Sequence, residues 1–183
     1  MTRKTIRALT VGCLLCCSLA AGAAEDIRSL SWDDLMPPGW VPQNPLDLLT
    51  QDDLAKMADG SPEADALYEK LRQFNLSAPL VEELDGQVVS LPGYIVPVEY
   101  DERGVFEFLL VPFVGACIHV PPPPANQIVY VKSKEAYKVS ELFEAVEVIG
   151  VMSTKPTMSE LADAGYTMEA RSIERFSTIK RLQ

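Results

Sequence analysis

The spacing of apolar residues changes about halfway along this chain. In the first half, Leu67, Leu71 and Phe74 recur at the three- and four-residue spacing that places side chains on one face of a helix. Ser61–Pro62 has the cap-and-proline pattern of a helix start, and a leucine-rich stretch before it has a similar start. The pattern predicts two short amphipathic helices within a lead-in over residues 44–80.

In the second half, apolar residues alternate with polar ones or form short runs rich in valine and isoleucine. This pattern predicts five strands, at about residues 87–100, 105–113, 128–132, 146–151 and 166–176. A bend or bulge is expected at Pro92–Gly93, a helical turn at Ser140–Ala145 and a short helix after Thr157, which begins a Thr-x-x-Glu capping pattern. We therefore predict a mainly β, α+β fold. Its core is a small five-stranded antiparallel barrel like the oligonucleotide/oligosaccharide-binding (OB) fold, preceded by the two N-terminal helices.

The N-terminus has the three parts of a secretory signal peptide. Residues 1–7 are basic, residues 8–20 are uncharged and mostly apolar, and residues 21–23 are small. The apolar run is shorter than the ~20 residues of a membrane-spanning helix. The pattern predicts a signal peptide over residues 1–23, cleaved near Ala23–Ala24, and hence a periplasmic or secreted protein.

A lipoprotein is the alternative, because three cysteines lie in this segment, Cys13, Cys16 and Cys17. The residues before them match a lipid-attachment sequence poorly, so we expect membrane association only if the chain is lipidated. The remainder divides into an N-terminal arm over 24–43, the lead-in over 44–80, the barrel domain over 81–178 and a tail over 179–183.

The charge of the chain argues against nucleic acid as a partner. Without residues 1–23 the protein has 160 residues, with 13 basic and 26 acidic side chains and a net charge of −13. Binding to a phosphate backbone draws on clusters of lysine and arginine, and the sequence has no such cluster. The same charge disfavours binding to anionic membrane surfaces.

The candidate chemistry lies in one segment before a run of four prolines. Cys117 is the only cysteine beyond the signal region, and His119 is the only histidine of the chain. In an extended segment the two side chains point to the same side, where a thiolate and an imidazole form half of a zinc or copper(I) site. Acidic residues or a second subunit would have to supply the other ligands, so a homo-oligomer stays open. The alternative is a buried Cys117 and a hydrogen-bonded His119 without metal.

A thiol-dependent enzyme is a further alternative. His119 could lower the pKa of the Cys117 thiol, and Asn126 or Gln127 could orient the imidazole. Neighbours on one strand rarely give the geometry of such a site, and no Gly-x-Ser-x-Gly or Cys-x-x-Cys motif supports it. We therefore predict a protein that is not an enzyme.

The proline run predicts a stiff rim that a partner protein could contact. Consecutive prolines form an extended helix without amide donors, so the run must cross the surface of a sheet. The predicted partner-binding residues are Pro121, Pro122, Pro123, Pro124, Asn126, Gln127, Trp32 and Trp40. Two alternatives remain open. Asn126 and Gln127 could instead satisfy nearby backbone groups, or the protein could bind a sugar or peptide through Trp32, Trp40 and Tyr94.

Four segments of the chain resemble a known family. They are Leu91–Tyr94, Phe108–Phe113 and the Cys-Ile-His-Val-Pro-Pro-Pro-Pro-Ala-Asn-Gln run at 117–127, together with Trp32–Pro37 near the mature N-terminus. These segments are similar to the bacterial domain-of-unknown-function family 3299, whose members are exported proteins or lipoproteins. The resemblance implies an accessory role in envelope transport or in zinc homeostasis, with an envelope protein as partner and zinc as the expected metal.

Overall fold

The computed structural model describes residues 26–43, 47, 49–56, 61–114, 123–141, 143–159 and 161–176. The predicted signal peptide, its cysteines and the tail over 179–183 lie outside these residues. Four residues of the predicted site also lie outside them, namely Cys117, His119, Pro121 and Pro122.

Two α-helices precede the barrel, α1 at Gln51–Lys56 and α2 at Pro62–Leu76. Ser61 caps α2 because its hydroxyl oxygen accepts a hydrogen bond from the Ala64 amide at 3.2 Å, and Pro62 fills the first helical position, where no amide donor is needed. No helix in the described ranges is both long and apolar enough to cross a membrane.

The described residues contain eight strands. They are β1 Arg28–Ser29, β2 Val88–Asp101, β3 Gly104–Val111, β4 Val129–Tyr137, β5 Ala145–Ser153, β6 Thr157–Met158, β7 Asp163–Ala164 and β8 Tyr166–Arg175. Five of these form a closed barrel in the order β2, β3, β4, β8, β5, in which β5 pairs back onto β2. The predicted five-stranded OB-like barrel is confirmed. Its ladders are antiparallel except for β4 with β8, which is parallel.

The interior of the barrel is the main hydrophobic core. Alternate residues of β2 point inward, among them Val89, Leu91 and Ile95, and all three are buried in one cluster. The strand runs through Pro92 and Gly93 without a break, and its register shifts lie further on, between Pro97 and Tyr100. A Cβ at position 93 would lie 2.8 Å from Leu110 Cγ, so any other residue in place of Gly93 would require Leu110 to shift.

The N-terminal arm packs against this core. Strand β1 pairs in parallel with β2, and a 3-10 helix at Trp32–Leu35 follows it. Leu30 and Leu35 are buried in the main cluster. The arm is therefore part of the folded domain, not a free linker.

A second, smaller core covers the outer face of β2, β3 and β4. Its buried members are Val96, Leu109, Val111, Ile128, Tyr130, Ala162 and Ala164. The last two come from the segment that carries β6 and β7, which pair as a small antiparallel sheet. The prediction of a helix after Thr157 is therefore wrong. The segment instead forms two short strands, because Ala162 and Ala164 are buried against the outer face of the barrel.

Candidate functional site

The proline-rich rim is described from Pro123 onward. Pro123 and Pro124 are half-buried, and a 3-10 helix at Ala125–Gln127 follows and leads into β4. The backbone amide of Gln127 donates to the Pro124 carbonyl at 2.8 Å, and the backbone amide of Gly165 donates to the Ala125 carbonyl at 2.7 Å. The base of the predicted loop is thus tied to the end of the β6–β7 segment.

Asn126 and Gln127 both point into the protein. Asn126 is fully buried, and its Nδ2 donates to the Pro79 carbonyl at 3.0 Å. Gln127 is buried, and its Nε2 donates to the Trp32 carbonyl at 3.0 Å. The two side-chain amides thus hold the loop base to the lead-in and to the arm. Of the two roles predicted for Asn126 and Gln127, this arrangement matches hydrogen bonding to backbone groups of their own chain and not contact with a partner protein.

The two tryptophans of the arm differ in how they are held. The Trp32 indole Nε1 donates to the Pro92 carbonyl at 2.8 Å, and its half-buried ring packs on the main core. Trp40 is half-buried, and its backbone amide donates to the Pro37 carbonyl at 3.0 Å. Tyr94 packs instead on the outer core, so the structure does not bring Trp32 and Tyr94 together as one platform for a sugar or peptide.

Tyr166 connects the arm to Val81, the residue directly after the lead-in, from inside the barrel. Its hydroxyl donates to the Leu35 carbonyl at 2.9 Å and accepts from the Val81 amide at 2.7 Å. Because Tyr166 is fully buried, burial raises the pKa of its phenol and keeps it neutral. Together with Trp32, Asn126 and Gln127 it joins the arm, the end of the lead-in and the loop base by hydrogen bonds.

Within the described part of the chain, no group of three or more histidine, cysteine, aspartate or glutamate residues is placed to hold a metal ion. The predicted metal ligands Cys117 and His119 belong to the residues that are not described. The metal site at Cys117 and His119 therefore stays a prediction from the sequence.

The outer face of the barrel carries charged residues beyond its apolar core. Glu107 lies between Glu99 and Lys132 in cross-strand register, and its carboxylate accepts a hydrogen bond from the Tyr130 hydroxyl. The pKa of Tyr130 is raised to about 12. Burial is the largest cause, and the hydrogen bond to Glu107 and the negative charges of Glu107 and Glu99 add to it. The pairing of Glu107 with Glu99, Lys132 and Tyr130 was not predicted from the sequence. Its one signal was a glutamate within the otherwise apolar run of β3.

Comparisons with known proteins give a family and a fold. A family model described as "Protein of unknown function (DUF3299)" matches residues 32–175. The crystal structure of a DUF3299 family protein from Pseudomonas aeruginosa PAO1, at 2.45 Å resolution, is similar with 41% identity and a TM-score of 0.66. The similarity covers 83% of this chain and 97% of that one. No curated protein matches the sequence.

Proposed function

The chain belongs to the DUF3299 family of proteins of unknown function, and we propose that it is a non-enzymatic, periplasmic accessory protein of an envelope transport or zinc-homeostasis system. Its working part in this proposal is the loop over residues 117–127. The periplasmic location is supported by the signal-peptide pattern of residues 1–23.

The observation that carries the proposal is the rigid base of this loop. Asn126 and Gln127 use their side chains on backbone carbonyls of Pro79 and Trp32, so the segment before them starts from a fixed point of the barrel. A loop that is held at its base loses less conformational entropy when it binds, which favours recognition of a partner protein. Pro123 and Pro124, which are half-buried, are the described part of the proposed contact surface.

The metal part of the proposal rests on the side-chain chemistry of Cys117 and His119. A thiolate and an imidazole are ligands that zinc prefers, and two more are needed for a tetrahedral site. Carboxylates of this acidic chain or the same pair from a second subunit would complete it.

Cross-linking in cells tests the partner contact. A photoreactive benzophenone amino acid is placed at position 123 and, as a matched control, at Lys134, which is exposed on β4. We expect one discrete cross-linked envelope protein from position 123 and none from position 134. Identical products from both positions, or no product from position 123, would contradict the proposal.

Zinc binding is tested on the protein without residues 1–23. We expect one zinc per chain, or one per two chains with dimerisation, and its loss in Cys117→Ser and in His119→Ala. Glu135→Gln changes an exposed carboxylate and is the matched control. If both variants keep the zinc of the wild type, the metal part is wrong, while the partner contact is still decided by the cross-linking.

A further inference from the structure

The outer face of β2, β3 and β4 changes from apolar to charged along the strands. Val96, Leu109 and Tyr130 lie in one cross-strand row, which is buried under the β6–β7 segment. The next polar row contains Glu99, Glu107 and Lys132. The cover of this face therefore ends at Tyr130. In the charged row beyond it Glu99 is exposed, and Glu107 and Lys132 are half-buried.

A groove lies where the cover ends. It has a volume of about 850 Å³, and its walls include Pro97, Val98, Glu99, Tyr130, Met158 and Leu161. Met158 is 69% exposed and Leu161 is 47% exposed. Met158 and Leu161 thus place two exposed apolar side chains side by side in a concave site, where an apolar ligand group could cover them.

Arg72 fixes the wall of the groove in place. Its guanidinium binds Asp163 through two hydrogen bonds, Nε to Oδ2 at 2.5 Å and Nη2 to Oδ1 at 3.1 Å, and Nη2 also contacts Met158 Sδ at 3.0 Å. These contacts join α2 to the β6–β7 segment. The guanidinium charge is thereby balanced by Asp163 and adds little positive potential to the groove.

The acidic residue of the groove wall is Glu99. Glu107 lies beside the groove, because it pairs with Glu99 and accepts a hydrogen bond from the Tyr130 hydroxyl. Glu107 is partly balanced by Lys132, whose Nζ lies 3.8 Å from Oε1. Glu99 faces Glu107 across the antiparallel pair, and among the described residues no salt bridge involves Glu99. Two like charges directly opposite each other destabilise a sheet, and a cation bound between them would remove the repulsion.

We propose that this groove binds a peptide segment of a partner protein that carries lysine or arginine next to large apolar residues. The cation would lie against Glu99 and Glu107, and the apolar side chains against Val98, Met158 and Leu161. Charge complementarity with Glu99 and the exposed apolar side chains of Met158 and Leu161 favour this ligand. The negative charges of Glu99 and Glu107 disfavour phosphate-bearing ligands.

This surface differs from the loop of the proposed function. None of the described residues that line the groove belongs to residues 117–127. The two proposals can therefore fail independently, and Cys117→Ser should leave binding in the groove unchanged.

Fluorescence anisotropy tests the proposal with a labelled peptide of eight residues that alternates leucine and lysine. We expect saturable binding that Glu99→Lys weakens about five- to tenfold, through loss of one ion pair and the added repulsion. The matched control Glu135→Lys makes the same change in net charge at an exposed site away from the groove and should stay within about twofold of wild type. Leu161→Asp should also weaken binding, and circular dichroism verifies that each variant is folded.

Several results would overturn the proposal. If Glu99→Lys and Glu135→Lys weaken peptide binding equally, the affinity depends on the net charge of the protein and not on the position of Glu99. Equal affinity for a serine–lysine peptide would remove the role of the apolar wall, and equal affinity for a leucine–glutamate peptide would remove that of the carboxylates. Absence of saturable binding would also refute the proposal. So would self-association of the protein that Leu161→Asp abolishes, because the groove would then bind a second copy of the chain.

Discussion

The Tyr166 hydroxyl offers the sharpest test of how the arm is held. Tyr166→Phe removes one oxygen atom and leaves the Leu35 carbonyl and the Val81 amide without their partner. A buried backbone group that loses its hydrogen bond costs about 1–3 kcal/mol. Leu35 is fully buried, whereas Val81 is half-buried and water can reach it, so the expected loss is about 2–4 kcal/mol in the free energy of unfolding.

Urea denaturation and thermal melting measure this loss. For a domain of this size, a loss of that order lowers the melting temperature by roughly 5–15 °C. Trypsin cleavage after the exposed Arg28 gives a local readout, and it should be faster in the variant because the arm is held less firmly. Tyr100→Phe is the matched control: this side chain is 71% exposed, and its removal of a hydroxyl should change stability by less than about 0.5 kcal/mol. If Tyr166→Phe is as stable as that control and Arg28 is equally protected, the hydroxyl does not hold the arm.

Two further substitutions test the packing around the barrel. Burial would raise the pKa of Glu144, but the backbone and side-chain hydrogen bonds from Ser140 help to outweigh it and hold this pKa below its ordinary value. Such a carboxylate stabilises the folded state above its unfolded pKa and loses this effect as the pH falls, so Glu144→Gln should cost about 1.5–3 kcal/mol at pH 7 and less at pH 4. Urea denaturation at both values measures it, and a difference that does not depend on pH would contradict the reasoning. Gly165→Ala should cost about 1–3 kcal/mol because its Cβ would lie 2.7 Å from Leu80 and 2.8 Å from the Ala125 carbonyl; a melting temperature equal to wild type would show that the loop base can shift to make room.

Much of the barrel could be predicted from the sequence because strand formation leaves a local trace. Alternation in 87–100 and 166–176 matched β2 and β8 to within one residue at each end. The parallel pairing of β4 with β8 left no such trace, since it depends on which edges meet when the barrel closes. The prediction after Thr157 was wrong because the capping pattern is a local signal. The burial of Ala162 and Ala164 against the outer core depends on residues distant in the sequence.

By itself the sequence determined the five segments that form the barrel strands, the acidic charge and the position of the only histidine beside the only cysteine outside the N-terminal region. Only the tertiary structure decided that Asn126 and Gln127 face inward. The reason is the distance along the chain: their partners, Pro79 and Trp32, lie 47 and 95 residues away. An amide side chain suits a partner protein and its own backbone equally well, so its role is decided by which carbonyls the fold brings within hydrogen-bonding reach.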